Sequence, residues 1–200
     1  MKVLSVTVLV LFFGQQLFAQ TTAENFQSIF FKKKNGAEIV FSSNTHSITL
    51  DIESKEIKST DRPGSIIVGD KMLQYELVAD TTLQKNHNAG TDQKDKLLAF
   101  LKNRLSYAKH QLKQHYTNSG HEWQVIDNKT YLLWYYDLPG EYGSLIKQIN
   151  LSTVCCSHIL NLTFFSNADD KALLTEIAQT LKQNDFKIDF DKQFKMLQGK

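Results

Sequence analysis

Tyr131-Leu-Leu-Trp-Tyr-Tyr136 is apolar at six consecutive positions. A strand turns successive side chains to opposite faces, so this stretch predicts a strand covered on both sides. Two further apolar-patterned strands follow, Leu145 to Val154 and Ile159-Leu-Asn-Leu-Thr-Phe-Phe165. In the first of these, Ile149 and Leu151 face one way with Lys147, while Ile146 and Val154 face the other with Gln148 and Asn150. In the second, Cys156, His158, Leu160, Leu162 and Phe164 share a face. A helix then starts at the Asp169-Asp170 cap, with Leu173, Leu174, Ile177, Ala178 and Leu181 as its apolar side. A strand buried twice over needs a layer on each side. The expected class is therefore α+β, a β-sheet flanked by helices in an α/β/α sandwich.

The punctuation around this centre is also legible. Asp137-Leu-Pro139-Gly140 predicts a turn, and Asn184-Asp185 the end of the last helix. Phe186, Ile188 and Phe190 alternate as a short closing strand, with Phe194 and Leu197 packing as a final turn. Upstream, Ser28 to Lys34 and Ala37 to Phe41 flank Asn35-Gly36, the pair favoured where both turn residues need positive φ, so a hairpin is expected. His46 to Ile52 alternates with Ile48, Leu50 and Ile52 on one face, while Ile57 stands too isolated to assign. After the Arg62-Pro63-Gly64 turn, Ser65 to Val68 and Lys71 to Ala79 form a second expected hairpin around Gly69-Asp70. Thr81 to Gly90 is polar and reads as a loop.

Thr91-Asp92 caps an expected helix reaching about Tyr116. Leu97, Leu101, Leu105, Ala108 and Leu112 form its apolar stripe. Lys94, Lys96, Lys102, Arg104, Lys109 and Lys113 are assigned to the rest of its surface. Lys102, Arg104, Lys109 and Lys113 are accordingly the candidate surface for a ligand, an acidic partner or a membrane.

The amino terminus predicts an address. One cation, Lys2, precedes an unbroken apolar run from Val8 to Phe13, and Leu17-Phe18-Ala19 offers a small residue at a cleavage point. The run is shorter than the roughly 20 residues that span a bilayer. No Cys follows the cleavage point to carry a lipid anchor. Residues 1–19 are therefore expected to be a secretory signal peptide cleaved near Ala19, and residues 20–200 a single domain, secreted or periplasmic. A net charge of +2 gives no drive toward nucleic acid.

Candidate chemistry is sparse. The only cysteines, Cys155 and Cys156, are adjacent, and a bridge between neighbours is strained because their Cα atoms sit about 3.8 Å apart. Cys156 and His158 on one face are thiol–imidazole candidates, but two ligands do not close a zinc site. His110 and His115 are five apart and share no helical face, and His115, His121 and Glu122 match no ligand spacing. No metal site and no cofactor is expected. There is no Gly-x-Ser-x-Gly elbow, His-Glu-x-x-His, phosphate-binding glycine loop or Cys-x-x-Cys. Asn128, Asn150 and Asn161 match the N-glycosylation pattern, the last two inside expected strands.

The closing unit resembles the PsbP-like superfamily in apolar pattern and element order, over roughly Trp123 to Phe190. It runs from Ile159-Leu-Asn-Leu-Thr-Phe-Phe165 through Asp170-Lys-Ala-Leu-Leu-Thr-Glu-Ile-Ala-Gln-Thr-Leu-Lys182 to the Phe-Ile-Phe strand. That superfamily includes an extrinsic photosystem II subunit, a nuclear-import protein that binds the GTPase Ran, and many small exported bacterial proteins. The resemblance implies an antiparallel sheet between helices; it carries over no catalytic motif and no partner. Three functions are in view. The first is an exported, non-catalytic binding or adaptor module for an envelope or secreted protein or a small ligand. The second is a peripheral envelope protein using the basic helix at 91–117. The third is a thiol–imidazole or metal-assisted hydrolase.

Overall fold

The computed structural model describes residues 24–79, 92–111, 113, 116–139, 145–166 and 170–198. The expected leader at 1–19 and the Thr81–Gly90 loop lie outside the described residues. What is described is α+β: two antiparallel sheets and three helices.

The smaller sheet holds β1 (Gln27–Lys33), β2 (Gly36–Ser42), β3 (Ser47–Glu53) and β11 (Lys182–Asn184), in the order β1-β2-β3-β11. The first hairpin forms, but one residue off the expected turn: Lys33 pairs with Gly36, so Lys34 and Asn35 make the two-residue loop and Gly36 already belongs to β2, while Asn35 is not among the described residues with positive φ. Gly36 has φ 154°, and a Cβ there would sit 1.9 Å from the Ile52 carbonyl oxygen, so β2 and β3 close up only around a glycine.

The larger sheet holds β4 (Ile57–Ser59), β5 (Ser65–Val68), β6 (Lys71–Ala79), β7 (Thr117–Ile126), β8 (Lys129–Pro139), β9 (Leu145–Cys155) and β10 (His158–Ser166). Its order is β4-β5-β6-β10-β9-β8-β7. The chain thus leaves the sheet after β6, passes through helix α1 (Gln93–His110), and re-enters at the far edge to return to β6 through β10. Helices α2 (Lys171–Gln179) and α3 (Phe190–Gln198) follow.

The doubly covered strand behaves as its composition requires. On one face of the larger sheet, Tyr131 and Leu133 of β8 join Ile149, Leu151, Leu160, Leu162 and Phe164. They meet Ala37, Ile39, Phe41, Ile48, Leu50 and Ile52 of the smaller sheet, with Leu174, Ile177 and Ala178 of α2. On the other face, Leu132, Trp134 and Tyr136 meet Leu97, Phe100 and Leu101 of α1. Two sheets thus share the main core where one sheet between helices was expected. α3 covers the outer side of the smaller sheet, where Phe31 lies between Phe190 and Phe194 and Gln193 Nε2 donates to Glu38 at 2.8 Å.

Several boundaries differ from the expectation. α1 ends at His110 rather than near Tyr116, and Leu112 is outside the described residues. Asn118-Ser119-Gly120, beyond the expected helix, lies in β7, an edge strand that takes its pairing from β8 through a shift in register. Pro139 continues β8 instead of turning the chain; it has no N–H to offer, and a strand end tolerates that. α2 stops at Gln179 because Thr180 is captured by β3: its hydroxyl accepts from Asp51 N at 2.8 Å. The closing strand is Lys182–Asn184, not Phe186 to Phe190. Phe186 is exposed, Ile188 exchanges bonds with Ser42 Oγ, and Phe190 begins α3.

Candidate functional site

The α1 side of the larger sheet is apolar only under the first half of the helix. Beyond it the register brings polar side chains into rows. Glu76 of β6 lies opposite Asn161 of β10, which lies opposite Ser152 of β9. In the next row Gln74, Thr163, Asn150 and Trp134 stand in line, and then Phe165, Gln148 and Tyr136. Cross-strand neighbours on one face come within about 4.5–5.5 Å, so these groups satisfy one another.

The bonds form a continuous network. Trp134 Nε1 donates to Ser152 Oγ at 3.0 Å, and Ser152 Oγ to Asn161 Oδ1 at 2.7 Å. Asn161 Nδ2 donates to Glu76 Oε1 and to Thr163 Oγ1, both at 3.1 Å. Thr163 Oγ1 and Gln148 Nε2 both donate to Asn150 Oδ1, at 2.7 and 3.2 Å. The Tyr136 hydroxyl donates to Gln148 Oε1 at 2.6 Å. Burial pushes the Tyr136 phenol up to about 12, against the opposing pull of the Arg104 charge.

Arg104 reaches down from α1 to this floor. Its Nη2 donates to Glu76 Oε2 at 2.5 Å, and its guanidinium lies 5.0 Å from the centroid of the Phe100 ring. Gln93 at the start of the same helix donates to Thr130 O at 3.1 Å. The helix is therefore held to the sheet at two points, and a cavity of about 540 Å³ opens beside its second half. Trp134, Tyr136, Tyr107, Phe165 and Leu138 line it together with the polar network. A volume of this size suits a small ligand, for which about 300–1,000 Å³ is usual.

Arg62 stands at the rim on a fixed backbone. Thr60 Oγ1 accepts from Arg62 N at 3.2 Å, and Ser65 Oγ donates to Arg62 O at 2.8 Å. Gly64 completes the turn with φ 71°, its carbonyl accepting from Tyr75 N at 2.8 Å. A Cβ at Gly64 would lie 2.9 Å from the Tyr75 carbonyl oxygen, so the close approach of this loop to β6 calls for glycine.

The residues singled out from sequence do not gather in one place. Lys102, Lys109 and Lys113 are exposed on or just beyond α1. Arg104 does not join them: four residues from both Phe100 and Ala108, it falls on the buried stripe and turns to the sheet. Cys156 lies in the turn after β9, with φ 47° at Cys156 and 59° at Ser157, rather than in β10. The thiol and imidazole are not paired. His158 Nδ1 lies 2.9 Å from the Cys156 carbonyl oxygen, and its ring packs edge-on against Phe26, while Cys156 Sγ contacts Gln183 Oε1 at 3.6 Å.

Burial pushes the Cys156 thiol up, and it pushes the Cys155 thiol up to about 11 although Lys129 Nζ is 3.8 Å away. Both cysteines are free, and both are held away from the thiolate that nucleophilic chemistry needs. His121 and Glu122 are exposed on β7, where Glu122 pairs with Lys171 at 3.3 Å; His115 is outside the described residues. Among the described residues no three His, Cys, Asp or Glu side chains gather as a metal site. Asn150 and Asn161 are buried and bonded in the network, which leaves no room for a glycan on either, whereas Asn128 sits in an exposed turn.

The network itself escaped the sequence reading. Its signal was present: Gln148, Asn150 and Ser152 recur every second residue, as do Asn161 and Thr163, in strands rich in buried apolar residues. Only the register shows that the two series meet. No protein-family model matches the chain, and no curated protein is significantly similar to it.

Proposed function

We propose that this chain is an exported, non-catalytic binding module that takes a small polar ligand into the cavity beside α1. The observation that carries this reading is the hydrogen-bonded floor running from Glu76 to Tyr136 under Arg104. A sheet face that served only as core would be filled with apolar side chains, since buried polar groups lower stability unless every partner is in place. Export rests on the amino-terminal Lys2, the apolar run and Ala19. No described helix is long and apolar enough to cross a membrane. The PsbP-like resemblance supports a family of small exported modules; α1 and α2 on opposite faces of the larger sheet support its α/β/α layering.

The test is a small-molecule screen read at the indole N–H of Trp134 by nuclear magnetic resonance, with Trp123→Phe to assign the signal. Polar compounds that enter the cavity shift the Trp134 signal. A screen that leaves it unmoved overturns the reading.

One observation favours the peripheral-envelope alternative: Lys102, Lys109 and Lys113 are all exposed. On that reading the protein sediments with anionic vesicles and is released at about 0.5 M salt, which screens charges beyond about 4–5 Å. Sedimentation that ignores both salt and charge reversal at these lysines removes it.

A further inference from the structure

We infer that the cavity selects a small organic monoanion, its carboxylate gripped between Arg62 and Arg104. This rests on the reading of the cavity as a binding site and specifies its ligand.

Asn161 donates to Glu76 and Thr163 and accepts from Ser152; Asn150 accepts from Thr163 and Gln148 and donates to the Trp134 carbonyl oxygen at 3.4 Å. Both Glu76 oxygens are engaged, one by Asn161 and one by Arg104. The floor is therefore largely satisfied and offers a ligand little acceptor capacity. What is left over is donors. A guanidinium has five N–H groups and no acceptor, and the described bond of Arg104 uses one of them. The described bonds of Arg62 involve only its backbone, which Thr60 and Ser65 fix in place, so its side chain faces the rim as an uncommitted fork.

Charge limits the ligand further. Arg62 and Arg104 against Glu76 leave one net positive charge among the ionisable groups lining the cavity, 2 − 1 = +1. A monoanion neutralises it. A dianion such as a phosphate monoester would set its second charge beside the Glu76 carboxylate. Two planar forks match a carboxylate's two oxygens, and Tyr107, Tyr136 and Phe165 offer ring surface to an organic body.

The purified protein is titrated with benzoate, benzamide and inorganic phosphate, read by the Trp134 indole signal and by calorimetry. Benzoate is expected to bind and shift Trp134, with benzamide weaker by about tenfold or more, the loss of one charge-assisted contact, and phosphate weaker because its second charge meets the Glu76 carboxylate. Arg62→Gln, at an exposed side chain, is expected to weaken benzoate by a similar factor with an unchanged melting temperature, and Arg62→Lys to restore only part of the affinity. Arg104→Gln is expected to do the same and also frees Glu76. Equal binding of benzamide, tighter binding of phosphate, or indifference to Arg62→Gln overturns the inference. If neutral compounds shift Trp134 while every carboxylate fails, the inference falls and the binding reading stands. If nothing shifts it, both fall.

Discussion

Arg104 and Glu76 are each partly open to solvent, and an ion pair of that kind contributes about 0–1 kcal/mol. Its importance lies in direction: the pair holds a cation over the network and takes up a carboxylate oxygen that a ligand would otherwise meet. Glu24 is the clearer energetic case. Its partial burial opposes ionisation, but hydrogen bonds from Ser43, Thr45 and His46, with the His46 charge, hold its carboxyl at about 2 against an ordinary 4.5. His46 Nδ1 lies 2.8 Å from Glu24 Oε2, so the segment before β1 is fastened to the β2–β3 turn. Because the folded value is the lower one, the stabilisation is complete above pH 4.5 and is lost as pH falls from there to about 2. Melting curves across that window should show wild type losing more stability than Glu24→Gln. Parallel curves would contradict the role assigned to these bonds.

Among the elements, α2 depends on partners outside itself. Asp170 stands at its N-cap without capping through its side chain. That side chain is buried and pairs with Lys71 Nζ at the start of β6. Its second oxygen, Oδ2, has no hydrogen-bond partner among the described residues. Lys71→Met therefore strands a buried carboxylate. The expected cost is about 2 kcal/mol in urea unfolding at pH 7, below the 3–5 kcal/mol of a fully buried pair because Lys71 is partly exposed. The Asp170 hydrogen bond raises the Lys71 pKa above 10.5. The wild-type advantage is thus complete below pH 10.5 and fades as pH rises through the higher folded value. An unchanged unfolding midpoint in Lys71→Met would show that water already serves Asp170. The far end of α2 has the same character: Thr180 Oγ1 bridges Ile177 O and the Asp51 backbone. The helix was legible in its apolar stripe, but its end was not, because the groups that stop it lie on β3.

At the scale of the whole molecule, β8 divides two cores. Leu132 and Leu133 are neighbours, each 0% exposed, and they face opposite layers. Leu133→Ala opens a cavity between the two sheets and Leu132→Ala opens one beneath α1. Both are expected to cost about 2–5 kcal/mol in chemical denaturation. A sheet with one wet face would give one large and one small value. A cost under about 1 kcal/mol for Leu132→Ala would mean that α1 does not seal its side.

The pattern of the chain was enough to determine eight of the eleven described strands, two of the three described helices, the hairpins near Asn35-Gly36 and at Gly69-Asp70, and the double burial of Tyr131 to Tyr136. These follow from periods of two and 3.6 residues and from turn chemistry, all local to a few positions. Tertiary structure alone decided that the strands divide into two sheets, that Asn118-Ser119-Gly120 pairs as an edge, and that Arg104 turns inward. It alone brought Glu76, Asn161, Ser152 and Asn150 into one network from strands far apart in the chain. A polar residue in a strand carries no local mark of its partner, because that partner is set by register, and register is set by how whole apolar faces come to be buried.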